Sequence, residues 1–408
     1  MEHPGSTLVK GRLVLPSGVA EGWVRTTGPS IVGVGADVGP AGGESPPGAD
    51  VVETDGYVLP GLVDTHCHGA LGSAYADGPE ALARAAEHHH RCGTTSLFAS
   101  TVSERAADLA SQVAHLAGAS ARGVVDGVHL EGPYLSARRC GAHRPDVLRD
   151  PDLAEVADLL DRASGTLRSM TLAPELPGAL ALVRMLRDRD VTVAVGHTAA
   201  STSQTRAAIE AGARVATHLF NGMEPIHHRA GGPVVALLDD PRVRCELIAD
   251  GEHLDADVVR WVWHSVGTER VMLVSDASPA VGMPDGELAW RGSTVYVASG
   301  RVRTASGALA GSAVTLLDAV RWVVGTGVPL VDAVAAASRV PAACYGLADR
   351  GSLAVGMRAD LVLTDDDLRV RRVMRAGEWL DGPPTIGGPA LVPALPAPAD
   401  RTRRRDSR

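Results

Sequence analysis

Eight short apolar runs of β-type residues recur along the middle of the chain, ending near Asp64, Ser100, Leu130, Leu172, Gly196, Thr217, Ala249 and Ser275. Helical patterns lie between most of them. Pro79 suits the first turn of a helix running toward His90, with Gly93 as its stop. Ser201 or Thr202 caps another, which carries Ala207, Ala208 and Ile209 on its apolar side and ends at Gly212. Strands alternating with helices predict a parallel sheet, and eight of them are the number that closes a (β/α)8 barrel. A doubly wound open sheet is the alternative. The reactive residues favour the barrel. His66 and His68 follow the first run, Glu131 the third, His197 the fifth, His218 the sixth, His253 the seventh and Asp276 the eighth. Barrel enzymes gather their chemistry at the C-terminal ends of different strands, so these positions converge on one face.

The two ends of the chain read differently. Short β pieces at 7–9, 12–15, 22–27 and 31–34 recur in kind at 360–363, 370–374 and 377–379, without helical period. We therefore expect a small β-sandwich domain built from both termini, residues 1–57 and 351–382, around a barrel at 58–350. Residues 383–408, rich in Pro and then Arg, are expected to be a disordered tail. Five arginines against one aspartate at 401–408 carry +4 of a net charge of −9, so the remainder stands at −13. A body that acidic, with 3% aromatic residues, is a poor match to nucleic acid. No uncharged apolar run reaches the length of a membrane span, and 310–337 is interrupted by Asp318, Arg321 and Asp332. Five scattered cysteines without a CxxC pair, and no secretory leader at the start, predict a cytoplasmic protein with free thiols.

The chemistry rests on the strand ends. His66 and His68 are two apart in an extended run, so both rings face one side and reach one ion, while Cys67 points away. With Glu131, His197, His218 and Asp276 they form a nitrogen and oxygen donor set suited to zinc, iron or manganese rather than to thiolate-bound metals. An aspartate beside such a set fits hydrolysis, since it can take a proton from water and return it to a leaving group. His88, His89 and His90 fan around a helix and cannot share an ion. His115 and His264 read as surface or packing residues. His129 shares the parity of Glu131, and at least one of His227 and His228 is expected at the cleft.

At this level the chain resembles the N-acetylglucosamine-6-phosphate deacetylases of the amidohydrolase superfamily. The resemblance is carried by Pro60-Gly61-Leu62-Val63-Asp64-Thr65-His66-Cys67-His68-Gly69, His129-Leu130-Glu131-Gly132-Pro133-Tyr134, Gly141-Ala142-His143, Gly196-His197-Thr198, Thr217-His218-Leu219-Phe220-Asn221-Gly222-Met223, Ile248-Ala249-Asp250-Gly251-Glu252-His253 and Val274-Ser275-Asp276-Ala277. It runs in order from about residue 50 to 380, including Gly311-Ser312 and Gly356-Met357-Arg358-Ala359-Asp360-Leu361. It implies that Glu131, His197 and His218 hold the main metal, that His66 and His68 resemble second-metal ligands, and that Asp276 moves the proton. One or two divalent ions per chain are then expected, zinc first, with iron, manganese or cobalt as alternatives. Ala142, His143, Asn221, Gly222, Arg229 and His253 fall where the family contacts the sugar phosphate, and Leu309, Ala310 and Gly311 where it covers the sugar. His143 is expected to orient the acetamide carbonyl. Arg229 is followed by Ala230-Gly231-Gly232-Pro233, where members often have Glu-Pro-Gly. The family also implies a homodimer. Within enzymes the rivals are a deacetylase of another hexosamine phosphate and a cyclic-amide or nucleobase hydrolase. The latter often need a lysine between metals, and this chain's lysine is Lys10. A non-catalytic homologue would have lost part of the set.

Overall fold

A computed structural model describes residues 5–35, 49–290, 293–380 and 382. Its centre is a barrel of eight strands: β1 (Leu62–Cys67), β2 (Thr94–Thr101), β3 (Gly127–Glu131), β4 (Leu167–Leu172), β5 (Thr192–Val195), β6 (Val215–Ala216), β7 (Arg244–Ile248) and β8 (Val271–Val274). Each pairs in parallel with the next along the chain. The seam between β8 and β1 closes just beyond β8. There the Asp276 N–H donates to the His66 carbonyl at 2.9 Å, and the His68 N–H donates to the Ala277 carbonyl at 2.8 Å. Below them the buried Asp64 carboxylate accepts from the Ser275 N–H at 3.3 Å, a side-chain stitch across the same seam. The expected barrel is what forms, and the open-sheet alternative is not.

Inside the barrel the side chains are layered. Phe98, Ala194, Val215 and Met272 form an apolar plug with Val340 and Tyr345. One layer higher the barrel is polar: His129 lies 2.9 Å from both Ser100 Oγ and Thr171 Oγ1, and Thr171 Oγ1 lies 2.8 Å from Thr217 Oγ1. The alternation of side chains along a strand produces this belt directly, because residues two apart share a face. Cys67 faces outward by the same rule and lies in the core between strands and helices. Local signals also hold. The helix Pro79–Arg91 starts on its proline, and Thr202–Ala211 is capped by Ser201 with a reciprocal bond from Gln204.

The terminal segments pair into one seven-stranded sheet, in the order Glu378–Trp379, Val370–Arg375, Leu361–Thr364, Asp50–Pro60, Ser6–Leu15, Gly18–Thr27, Ser30–Gly35. Both termini contribute, as expected. The hydrogen bonding runs continuously through all seven strands, because Asp50–Pro60 pairs in parallel with Ser6–Leu15 and antiparallel with Leu361–Thr364, bridging the N- and C-terminal strands. That long strand was not among the β pieces read from the sequence. Val9, Leu13, Val24, Val58, Leu361 and Met374 pack together there. Arg350 pairs with Asp126, while Arg358 meets Asp360 at 2.5 Å and the Thr95 carbonyl at 3.0 Å, joining sheet to barrel. The expected tail at 383–408 lies outside the described residues.

A further three-stranded antiparallel sheet, Gly286–Trp290, Ser293–Ala298 and Arg301–Thr304, follows β8. It was not foreseen. Trp290, Val295, Val297 and Val302 pack with Ala74, Ala280, Ala310 and Ala313, which seats this sheet over the C-terminal face of the barrel.

Candidate active site

His197, His218 and Asp276 each stand two residues beyond a strand, after β5, β6 and β8. All three have left-handed backbone, with φ of +45°, +28° and +45°. Side chains other than glycine rarely adopt that region, and holding one there costs on the order of 1–3 kcal/mol. The neighbouring backbone fixes it. The Ser136 N–H donates to the His197 carbonyl at 2.9 Å, the Leu219 N–H to the Glu246 carbonyl at 2.8 Å, and the Ser312 N–H to the Asp276 carbonyl at 2.8 Å. This turn after each strand swings the side chain back over the barrel mouth.

Glu131 lies at the centre. Its Oε1 is 2.9 Å from His218 Nε2 and 3.0 Å from His197 Nε2, and those two nitrogens are 3.1 Å apart. Its Oε2 is 3.3 Å from His143 Nε2, 3.4 Å from His68 Nε2 and 3.7 Å from His66 Nε2. Asp276 Oδ1 completes the second group, 3.1 Å from His68 Nε2 and 3.4 Å from His66 Nε2. Ligands about 2.0–2.1 Å from a tetrahedral ion sit about 3.3 Å from one another, close to these spacings. The donor set fits a divalent ion in chemistry as well. His197 Nδ1 faces the Arg139 carbonyl at 2.9 Å and His66 Nδ1 faces Glu246 Oε2 at 3.3 Å, so with an ion bound each ring would keep its proton on Nδ1 and turn the Nε2 lone pair to the centre.

His143 is different. Its Nδ1 accepts from the Ser103 N–H at 3.3 Å and lies 2.9 Å from Ser103 Oγ. A nitrogen that accepts from a backbone amide carries no proton, so Nε2 of His143 carries it and is a donor. Glu131, His143 and His197 are close enough to suggest a ligand trio. The tautomer favours His218 over His143 as the third member.

Charge follows the geometry. Burial pushes the Glu131 and Asp276 carboxyls up, but the surrounding imidazoles outweigh it and hold both well below the usual carboxylate range. Burial pushes His66 down, and Asp276 and Glu131 more than reverse this. Asp64, with weaker compensation, is raised to about 6 by burial.

These groups open into a cavity of about 240 Å³, which His68, Glu131, Ala142, His143, His197, His218, Asn221, Gly222, His253, Asp276, Leu309 and Gly311 all line. His66 is fully buried beneath it. Gly222 has φ +61°, and a Cβ there would stand 2.7 Å from His197 Nδ1, so the loop reaches the ring only because this residue is glycine. His253 Nδ1 lies 2.7 Å from Asp250 Oδ2; burial depresses His253, but Asp250 raises it overall.

Three expectations fare differently. Ala310 turns away from the cavity into the core of the three-stranded sheet, as alternation between Leu309 and Gly311 requires. Arg229 is exposed, outside the cavity lining, with Nη1 2.7 Å from His228 Nε2. His227 and His228 are exposed on the same loop and do not line the cavity either. Trp290, Ile248, Ala308 and Gly141 line the cavity without having been assigned a role. Trp290, 6.1 Å from the His68 ring, stands on the unforeseen sheet, and no ligand-type residue marked that segment.

The model of the amidohydrolase family matches residues 57–380. The chain belongs to the amidohydrolase family. Members are metal-dependent, in keeping with the donor groups described. Among curated relatives, an N-acetylgalactosamine-6-phosphate deacetylase of Escherichia coli O157:H7 is 39% identical over 340 residues, 81% of this chain and 89% of that one. An N-acetylglucosamine-6-phosphate deacetylase of Vibrio furnissii is 35% identical over 335 residues, covering 80% and 82%. Among solved structures, a mutant N-acetyl-D-glucosamine-6-phosphate deacetylase of Mycobacterium smegmatis, in complex with N-acetyl-D-glucosamine-6-phosphate, superposes with a TM-score of 0.88. It is 42% identical, covering 92% of this chain and 99% of its own. This amidohydrolase thus sits among amino-sugar-phosphate deacetylases, and its chemistry is hydrolysis of a C–N bond.

Proposed function

We propose that this amidohydrolase hydrolyses N-acetyl-D-glucosamine 6-phosphate to D-glucosamine 6-phosphate and acetate. The observation that carries the reading is Glu131, whose two oxygens divide between His197 with His218 and His143 with His66 and His68. Glu131, His197 and His218 would hold the principal divalent ion, and His66, His68 and Asp276 a second, with zinc the preferred metal and iron, manganese or cobalt as substitutes. When bound, such an ion supplies Lewis acidity and an activated water. The chain's own groups do the rest. His143 donates its Nε2 proton to the acetamide oxygen as charge develops there. Asp276 takes the proton of the attacking water and passes it to the nitrogen as the C–N bond breaks, so acetate leaves and the amine stays on the sugar. Asn221 and Gly222 contact the sugar, Leu309 and Gly311 cover it, and His253 with Arg229 receives the phosphate.

Supporting this are the relatives' shared substrate class and the gathering of Glu131, His66, His68, His197, His218 and Asp276 at one barrel mouth. We also infer a cytoplasmic homodimer divided at 1–57, 58–350 and 351–382. Among the described residues no helix is long and apolar enough to cross a membrane. The test is release of acetate and free amine from N-acetylglucosamine 6-phosphate, with the galactosamine epimer and the unphosphorylated sugar run beside it. Preference for the epimer reassigns the sugar; no acetate from either phosphate ends the proposal.

A further inference from the structure

Glu246 is 2% exposed, in the interior of the barrel. On β7, Cys245 and Leu247 face the helices and join the main core, leaving Glu246 and Ile248 on the inner side, where Ile248 reaches the cavity. A carboxylate is costly to bury without hydrogen bonds. Its Oε2 has two partners, His66 Nδ1 at 3.3 Å and the His218 backbone N–H at 3.3 Å. The Glu246 carbonyl accepts the Leu219 N–H at 2.8 Å as well. One residue therefore touches the ring of a ligand in one group and both peptide N–H groups at the left-handed ligand of the other.

We propose that Glu246 is a positioning residue for the metal centre. It holds His66 in the tautomer whose Nε2 lone pair faces His68 and Asp276, and it pins the backbone turn that aims His218 at Glu131. The inference rests on the metal-dependent reading above and adds a residue to it that touches neither substrate nor ion. The carboxylate on the far side of a ligating imidazole fixes ring orientation and raises basicity, and losing such a partner typically costs about 10- to 100-fold in metal affinity.

The experiment uses cobalt(II) as the probe on metal-stripped full-length protein, with uptake followed by visible absorption under chelator competition. A His66→Gln/His68→Asn variant isolates the Glu131 site. Glu246→Gln keeps an acceptor but no charge, and Glu246→Leu keeps neither. The His66/His68 site should weaken in the order Glu, Gln, Leu, by about 10-fold and then about 100-fold. The Glu131 site should change less than threefold in the Gln variant, and the metal-free thermal midpoint of that variant should stay near wild type. Should the Leu variant not fold, the Gln variant alone decides. Unchanged affinities overturn the proposal, and so does an equal loss at both sites that tracks a lower metal-free midpoint. A wild type that binds no cobalt overturns the metal reading itself, whereas two bound ions with indifferent variants overturns only the role of Glu246.

Discussion

Asp276 Oδ1 stands 3.1 Å from His68 Nε2, on the seam where the barrel closes. The side chain proposed to move the proton is thereby tied to His66 and His68 and not to His197 or His218. Asp276→Asn should keep the fold and the ion at the Glu131 site, yet lose at least ~10²-fold in turnover, the lower end of a general acid–base contribution. Steady-state turnover and metal content on the same preparation check this; turnover within a few-fold of wild type would assign the proton to another group.

On the proposed reading His143 is a donor and not a ligand. Removing one donor to a developing oxyanion costs about 10²–10³ in kcat. His143→Ala should show that loss while its metal content stays at the wild-type value. A loss of metal in proportion to activity would instead make it a ligand.

Arg229 lies at the exposed edge of the 221–229 loop, the loop that brings Asn221 and Gly222 into the cavity. A charge-assisted contact to phosphate contributes about 2 kcal/mol, or roughly 30-fold in kcat/KM. Arg229→Ala should lose that on the phosphorylated substrate and little on the unphosphorylated sugar. Equal losses on both would remove Arg229 from phosphate recognition.

Gly222→Ala places a methyl group 2.7 Å from His197 Nδ1 in a left-handed backbone. The ring or the loop must move, and the Arg139 hydrogen bond with it. We expect weaker metal retention at the Glu131 site and at least ~10-fold lower activity, since a misplaced group near the reacting centre is costly. Wild-type values for both would show the loop yielding freely.

Stability should fall with acidity through His89. Burial, then the neighbouring His88, lowers this ring to about 3, and its Nε2 donates to the Gly69 carbonyl at 2.9 Å. The unfolded chain takes that proton near the ordinary value of 6.5. Between the two values the unfolded state holds more protons, so stability is full above 6.5 and declines toward 3, by up to about 1.4 kcal/mol per pH unit. Urea midpoints of wild type and His89→Gln from pH 7.5 to 5 should converge as the pH drops. Parallel curves would exclude the ring as the source.

Much of this was legible in the sequence because a barrel gathers strand ends. His66, Glu131, His197, His218 and Asp276 needed only their place after an apolar run. What escaped was set by tertiary packing. Glu246 lies in the middle of a run and shows only as a charge out of place; Trp290 belongs to a sheet whose position depends on Ala74, Ala280 and Ala310. Arg229 was legible as a cation, but not where its loop would hold it. His88, His89 and His90, read as unable to share an ion, are all buried, and His89 and His90 face backbone carbonyls of the surrounding structure.

The seam has a consequence for how the molecule is put together. Glu131, His197 and His218 lie within one continuous stretch of the chain, whereas His66 and Asp276 are separated by 210 positions. An ion shared between those two closes the largest loop in the barrel, where a cross-link removes the most freedom from the unfolded chain. As the polypeptide leaves the ribosome, that site would be the last to gather its residues, because Asp276 follows every other member of the set.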